Sequence, residues 1–127
     1  MTDPIRLLPL QAAMPGEPEV DHPRSERLIA GRPRRETWNV ADLPLAPGSR
    51  LSVGVWRCEP GHWRIAFGPH EHELFTVLGG RCRLHEADGR WQEAGPGQAL
   101  LIPAGFQGSF EVLETLTKTY AIVDAGD

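Results

Sequence analysis

Apolar and polar positions alternate in short runs from residue 50 onward. Residues 50–58 set Leu51, Val53 and Val55 against Ser52, Gly54, Trp56 and Cys58. Residues 63–67 set Trp63, Ile65 and Phe67 against Arg64 and Ala66. Further runs at 73–78, 81–86, 99–103, 109–113 and 118–123 complete a set of seven predicted strands. In 81–86, Cys82 and Leu84 face one way and Arg81, Arg83 and His85 the other. A period of two gives each strand one dry face and one wetter face. "ADG" (87–89) predicts a hairpin turn, since Asp-Gly readily supplies positive φ. No long run has helical spacing, and no internal repeat appears.

The punctuation between the runs is glycine and proline, 14 and 12 of them. Turn signals spaced by about 8–12 residues indicate an all-β sandwich or barrel. Seven or more short strands protect their edges best as a jelly-roll barrel. Residues 1–30 differ: they are proline-rich with few core candidates. They read as an extended N-terminal arm, in which "IRLLPL" (5–10) is a candidate edge strand, on this barrel or on a partner subunit. Residues 31–127 read as a single domain.

Composition narrows the function classes. A chain of 127 residues, 40% apolar and 24% charged, suits one soluble domain with one core. The net charge of −4 argues against a nucleic-acid surface. "RPRR" (32–35) is the one dense basic run and reads as a solvated turn. With no apolar run of about 18 residues, no membrane span is expected. The acidic, proline-containing start does not resemble a secretory leader, so a cytoplasmic location is expected. Cys58 and Cys82 lack metal or redox spacing and read as small core residues.

Two segments framed by glycine carry a pattern. Gly61, Glu73 and Gly80 fall in the G, E and G slots of G-x5-H-x-H-x3-E-x6-G. Gly97, Pro103 and Gly105 fall in the G, P and G slots of G-x5-P-x-G-x2-H-x3-N. These are the two motifs of cupins, and the chain resembles that superfamily. More narrowly, "RLIAGRPRRETWN" (27–39), "VWRCEPGHWR" (55–64), "ELFTVLGGRCRL" (73–84), "LIPAGFQGSFEVLE" (101–114) and "TKTY" (117–120) resemble the cupin-3 (DUF861) group, which includes ethanolamine-utilisation cupins. The resemblance implies a double-stranded β-helix (jelly-roll) barrel with an internal pocket, usually in a homodimer. Members typically have Trp where Phe110 stands.

The resemblance also implies where a metal would sit: two histidines and a glutamate of the first motif, and a histidine of the second. Here those histidine slots hold Phe67, Pro69 and Gly108, and Glu73 alone remains. One carboxylate does not hold a transition metal. "GPHEHELFTVLGG" (68–80) offers His70 and His72 instead. If the strand already runs through 70–73, both point away from Glu73. If that stretch is a loop, His70, His72 and Glu73 form a makeshift site. No metal and no other cofactor is the expectation.

Without a metal, the expected chemistry centres on Glu73, which shares its face with the apolar Phe75 and Val77. Lys118 shares a face with Leu116, Tyr120 and Ile122, an unusual setting for an exposed lysine. Glu73 is therefore expected to pair with Lys118 or Arg64 inside the barrel. Glu73, Lys118, Tyr120, Arg64, Trp56 and Phe75 are the candidate ligand contacts. The expected function is binding of a small polar metabolite. The alternative is a metal-independent isomerase or hydrolase with Glu73 as its acid or base. A structural ion pair is the plain reading of the same residues, and core packing that of Trp56.

Overall fold

The computed structural model describes residues 5–125. Strands are β1 (Glu19–Asp21), β2 (Leu28–Ala30), β3 (Arg35–Pro44), β4 (Arg50–Cys58), β5 (Gly61–Ala66), β6 (Glu71–Glu86), β7 (Trp91–Ala94), β8 (Ala99–Ile102) and β9 (Gln107–Asp124). A single 3-10 turn, Ser25–Arg27, is the helical content of the described residues. No helix there is long and apolar enough to cross a membrane.

All nine strands join one antiparallel sheet that curls around its apolar face as a half-barrel. The long β9 is its spine. Along one edge β9 pairs with β6 throughout, from Glu71↔Asp124 to Glu86↔Gly108. Along the other edge it pairs first with β5 and then with β4. β3 continues the sheet outward from β4, and β8 and β7 lie on the far edge of β6.

Two pairs of predicted strands are single strands. The runs at 73–78 and 81–86 belong to one strand, β6, and those at 109–113 and 118–123 belong to β9. Gly80 stands between the two runs of β6 and does not separate two strands. It kinks one instead. The pairing register shifts between Val77 and Cys82, and Gly80 has φ +82°. A side chain there would meet the Thr115 carbonyl. The bulge also flips the parity of β6, so odd positions Glu73, Phe75 and Val77 face inward before it and even positions Cys82 and Leu84 after it.

The candidate edge strand at 5–10 lies outside any strand, with Ile5 and Leu7 fully exposed. Residues 19–30 instead supply β1 against β3 and β2 against β5. The core holds Val55, Phe75, Val77, Ile102, Val112 and Leu116, with Cys58 and Cys82 as free thiols at zero exposure. An aromatic cluster caps it. Trp63 stacks on Phe110 with ring centroids 5.3 Å apart, and Trp56 meets Phe110 edge-on at 5.6 Å.

Candidate functional site

A cavity of about 420 Å³ opens on the concave face of the sheet. Strand alternation decides what reaches it. From β4 and β5 come Ser52, Trp56, Trp63 and Ile65; from β9 come Phe110, Lys118, Tyr120 and Ile122; from β6 comes Glu73. β3 adds Arg35, Thr37, Asn39 and Asp42. Its run at 35–44 carries no inward apolar alternation in the sequence, because polar residues occupy those positions.

The centre of the site is an ion pair. Lys118 Nζ donates to Glu73 Oε2 at 2.6 Å, and both side chains are buried. The pairing is diagonal, since Glu73 lies opposite Ile122 and Lys118 opposite Val77. The two side chains therefore reach toward each other along the strand direction. Three rings surround its ammonium: Phe75 at 4.3 Å, Trp56 at 4.6 Å and Phe110 at 4.9 Å from ring centroid to Nζ. Their negative faces offset part of the hydration the charge gives up.

A second polar group lines the same cavity. Tyr120 donates to Asn39 Oδ1 at 2.6 Å. Asn39 Nδ2 donates to Asp42 Oδ2 at 2.9 Å, and Ser52 Oγ donates to Asp42 Oδ1. Gly54 makes this possible, because a side chain there would strike the Tyr120 hydroxyl and the Trp38 carbonyl. Burial, and then the nearby carboxylates Asp42, Glu73 and Glu19, push the Tyr120 phenol up to about 12. It is a hydrogen-bond donor, not a base.

The candidate residues divide. Glu73, Lys118, Tyr120 and Trp56 meet at the cavity. Phe75 does not line it. Its ring, at zero exposure, lies in the core beneath the ammonium. Arg64 is not there either. It alternates with Trp63 and Ile65, so it points to the outer face of β5 and is exposed. His70, His72 and Glu73 do not converge, because β6 begins at Glu71 and turns His72 outward. There its Nδ1 accepts from the Ala104 amide at 3.1 Å.

The metal position of metal cupins does not fit this chain. Phe67 lines the cavity where the first histidine would stand, and Pro69 is exposed. Gly108 has no room for any side chain: a Cβ there would strike the His85 carbonyl and sit 2.9 Å from the Phe106 ring. The positive charge beside Glu73 belongs to Lys118.

A further group of polar residues was not anticipated. His62, His85 and Glu111 cluster on the outer face. Their places in the sequence share no motif spacing, and strand register alone brings them together. The available signal was parity, since each alternates with an inward apolar neighbour. Burial chiefly lowers the His62 imidazole below its usual value, with Glu111 opposing and His85 and Arg64 adding.

The profile of the EutQ-like cupin domain (Cupin_3) matches residues 45–120. The chain belongs to the EutQ-like cupin family. Solved structures share this fold. The EutQ protein of Clostridium difficile is 22% identical with a TM-score of 0.61, the match covering 75% of this chain and 65% of that one. A DUF861-family protein of unknown function from Pseudomonas syringae is 21% identical with a TM-score of 0.75, covering 89% of this chain and 46% of that one. KdgF from Halomonas sp. is 15% identical with a TM-score of 0.57, covering 73% and 80%. This cupin thus spans less than two thirds of the first two relatives. No curated protein matches it.

Proposed function

We propose that this cupin binds a small polar metabolite in its barrel cavity, with the Glu73–Lys118 pair as the recognition centre. The observation that carries the reading is a buried ion pair set on the wall of a cavity of about 420 Å³. That volume falls in the range of about 300–1,000 Å³ usual for small-molecule sites. An ammonium has three donors, and Glu73 accepts one of them. A ligand carboxylate or hydroxyl takes another, while Trp56, Trp63 and Phe110 pack against its apolar face. Tyr120 and Asn39 set its orientation at the other end.

The second reading is an isomerase or hydrolase in which Glu73 moves a proton. Its support is the contact of Glu73 and Lys118 with the same cavity, which places a carboxylate and an ammonium within reach of one ligand.

A thermal-shift screen against sugars, amino acids, ureides and small carboxylic acids tests both. The expected result is one class that raises Tm and loses its effect in Lys118→Met and Tyr120→Phe. A screen with no hit, or a hit that both variants retain, overturns the binding reading. Product formed from the hit, abolished in Glu73→Gln, establishes the enzyme.

A further inference from the structure

The outer face of the same sheet carries a separate set of ligating side chains. Register places His62 of β5 directly opposite Glu111 of β9, and His85 of β6 opposite Ser109 of β9. One ring nitrogen from each histidine and one Glu111 oxygen all lie within 4.8 Å of one another. His85 Nε2 is 2.9 Å from Glu111 Oε1, and the two imidazole centroids are 4.9 Å apart. His62 Nε2 is 2.7 Å from Ser109 Oγ. All three ligating residues are half-buried.

We propose that His62, His85 and Glu111 form a zinc-type divalent metal site on the outer face of the barrel. Two imidazoles and a carboxylate are a donor set zinc takes, with three protein ligands leaving a fourth position open. Metal–ligand bonds of about 2.0–2.2 Å put donors in a tetrahedral site roughly 3.3 Å apart. The cluster spans at most 4.8 Å, so small side-chain rotations close it around an ion. The ligands stand on three adjacent strands, which hold them more firmly than loops would.

The neighbouring charges leave the set available. Arg83 lies opposite Glu111 but is committed elsewhere: its Nη2 is 2.9 Å from Glu93 Oε1, and its guanidinium stacks 4.1 Å over Trp91. Ser109 Oγ lies 2.7 Å from His62 Nε2, and with Nδ1 as the ligating atom it would be the outer partner that orients the imidazole. Arg64 acts electrostatically on His62 and tempers the attraction for a cation. The site is independent of the cavity reading. It would tie β5, β9 and β6 together directly behind the Trp63–Phe110 stack, which alternates with these ligands along the same strands.

The test is a titration of the full chain, stripped with chelator, with Zn2+ by calorimetry and with Co2+ by visible absorption. One equivalent per chain is expected, with a Co2+ spectrum of low coordination number. His85→Ala and Glu111→Gln should weaken binding by more than the roughly 10–100-fold that loss of an outer partner costs. His70→Ala and His72→Ala should leave it unchanged. Should Glu111→Gln fail to fold, His62→Gln makes the same comparison. The proposal is overturned if no saturable equivalent binds, if binding survives His85→Ala, or if it is lost in His72→Ala.

Discussion

Lys118 Nζ sits 2.6 Å from Glu73 Oε2, with only 6% and 9% of the two side chains exposed. Each charge is therefore the other's main compensation, and Phe75, Trp56 and Phe110 supply the rest for the ammonium. A buried pair of this kind is costly to break and cheap to replace whole. Lys118→Met alone should lower the unfolding free energy by about 3–5 kcal/mol, because Glu73 is left buried without its partner. Lys118→Met combined with Glu73→Leu should recover most of that loss while ligand binding stays abolished. Urea unfolding of the three proteins measures this. A double variant as unstable as Lys118→Met alone would mean that the pair holds the fold together rather than serving recognition.

The second motif's histidine slot is closed by backbone, not merely emptied by substitution. A Cβ on Gly108 strikes the His85 carbonyl, which belongs to a paired strand and cannot swing aside. Gly108→Ala should cost about 1–3 kcal/mol, the usual range for forcing atoms into a packed place. Placing histidines at Phe67, Pro69 and Gly108 together should therefore fail to create a metal site in the cavity. Urea midpoints and metal content after dialysis check the two parts. A Gly108→Ala chain as stable as the parent would show that the strand can yield.

How much of this was legible beforehand depends on the kind of information each residue carries. Period-two alternation is local, so the inward placement of Trp63, Leu84, Lys118 and Tyr120 could be read from neighbours alone. The same rule placed Arg64 on the outside, against its candidacy as a partner of Glu73. Phe75 shares the face of Glu73 but lies one layer deeper, and depth within a barrel is not a local property. β3 hid because an inward face built of Arg35, Thr37, Asn39 and Asp42 has no hydrophobic period to detect. The His62–His85–Glu111 cluster required the register of three strands at once, and the bulge at Gly80 shifts that register.

Neither cysteine is placed to act as a nucleophile, since both are fully buried. Burial pushes the Cys58 thiol up to about 12, against the lowering effects of Arg35 and Lys118. It pushes Cys82 up to about 11. The reactive thiolate is correspondingly scarce near neutral pH. In the native protein both should react with an aromatic disulfide reagent at least about 100-fold more slowly than in denaturant, where the ordinary thiol value of about 8.5 returns. Rapid labelling of Cys58 in the folded chain would restore it as a candidate for chemistry.

Tyr120 offers the cleanest titration, because it is the single tyrosine of the chain. Its folded value is raised from 10.0 to about 12, so the folded state holds the phenolic proton more tightly than the unfolded state does. The stability this contributes is fully present below pH 10 and is lost as pH rises through about 12. Near-ultraviolet absorbance of tyrosinate should thus appear about two pH units later in the folded protein than in urea. Over the same interval the urea midpoint should fall. Tyr120→Phe should remove this alkaline component and, by losing the hydrogen bond to Asn39, cost about 1 kcal/mol at neutral pH. It should also weaken any ligand that Tyr120 orients. Ionisation of the folded protein near pH 10 would mean that the hydroxyl is open to water and makes no lasting bond with Asn39. The end of the cavity assigned to orientation would then be solvent.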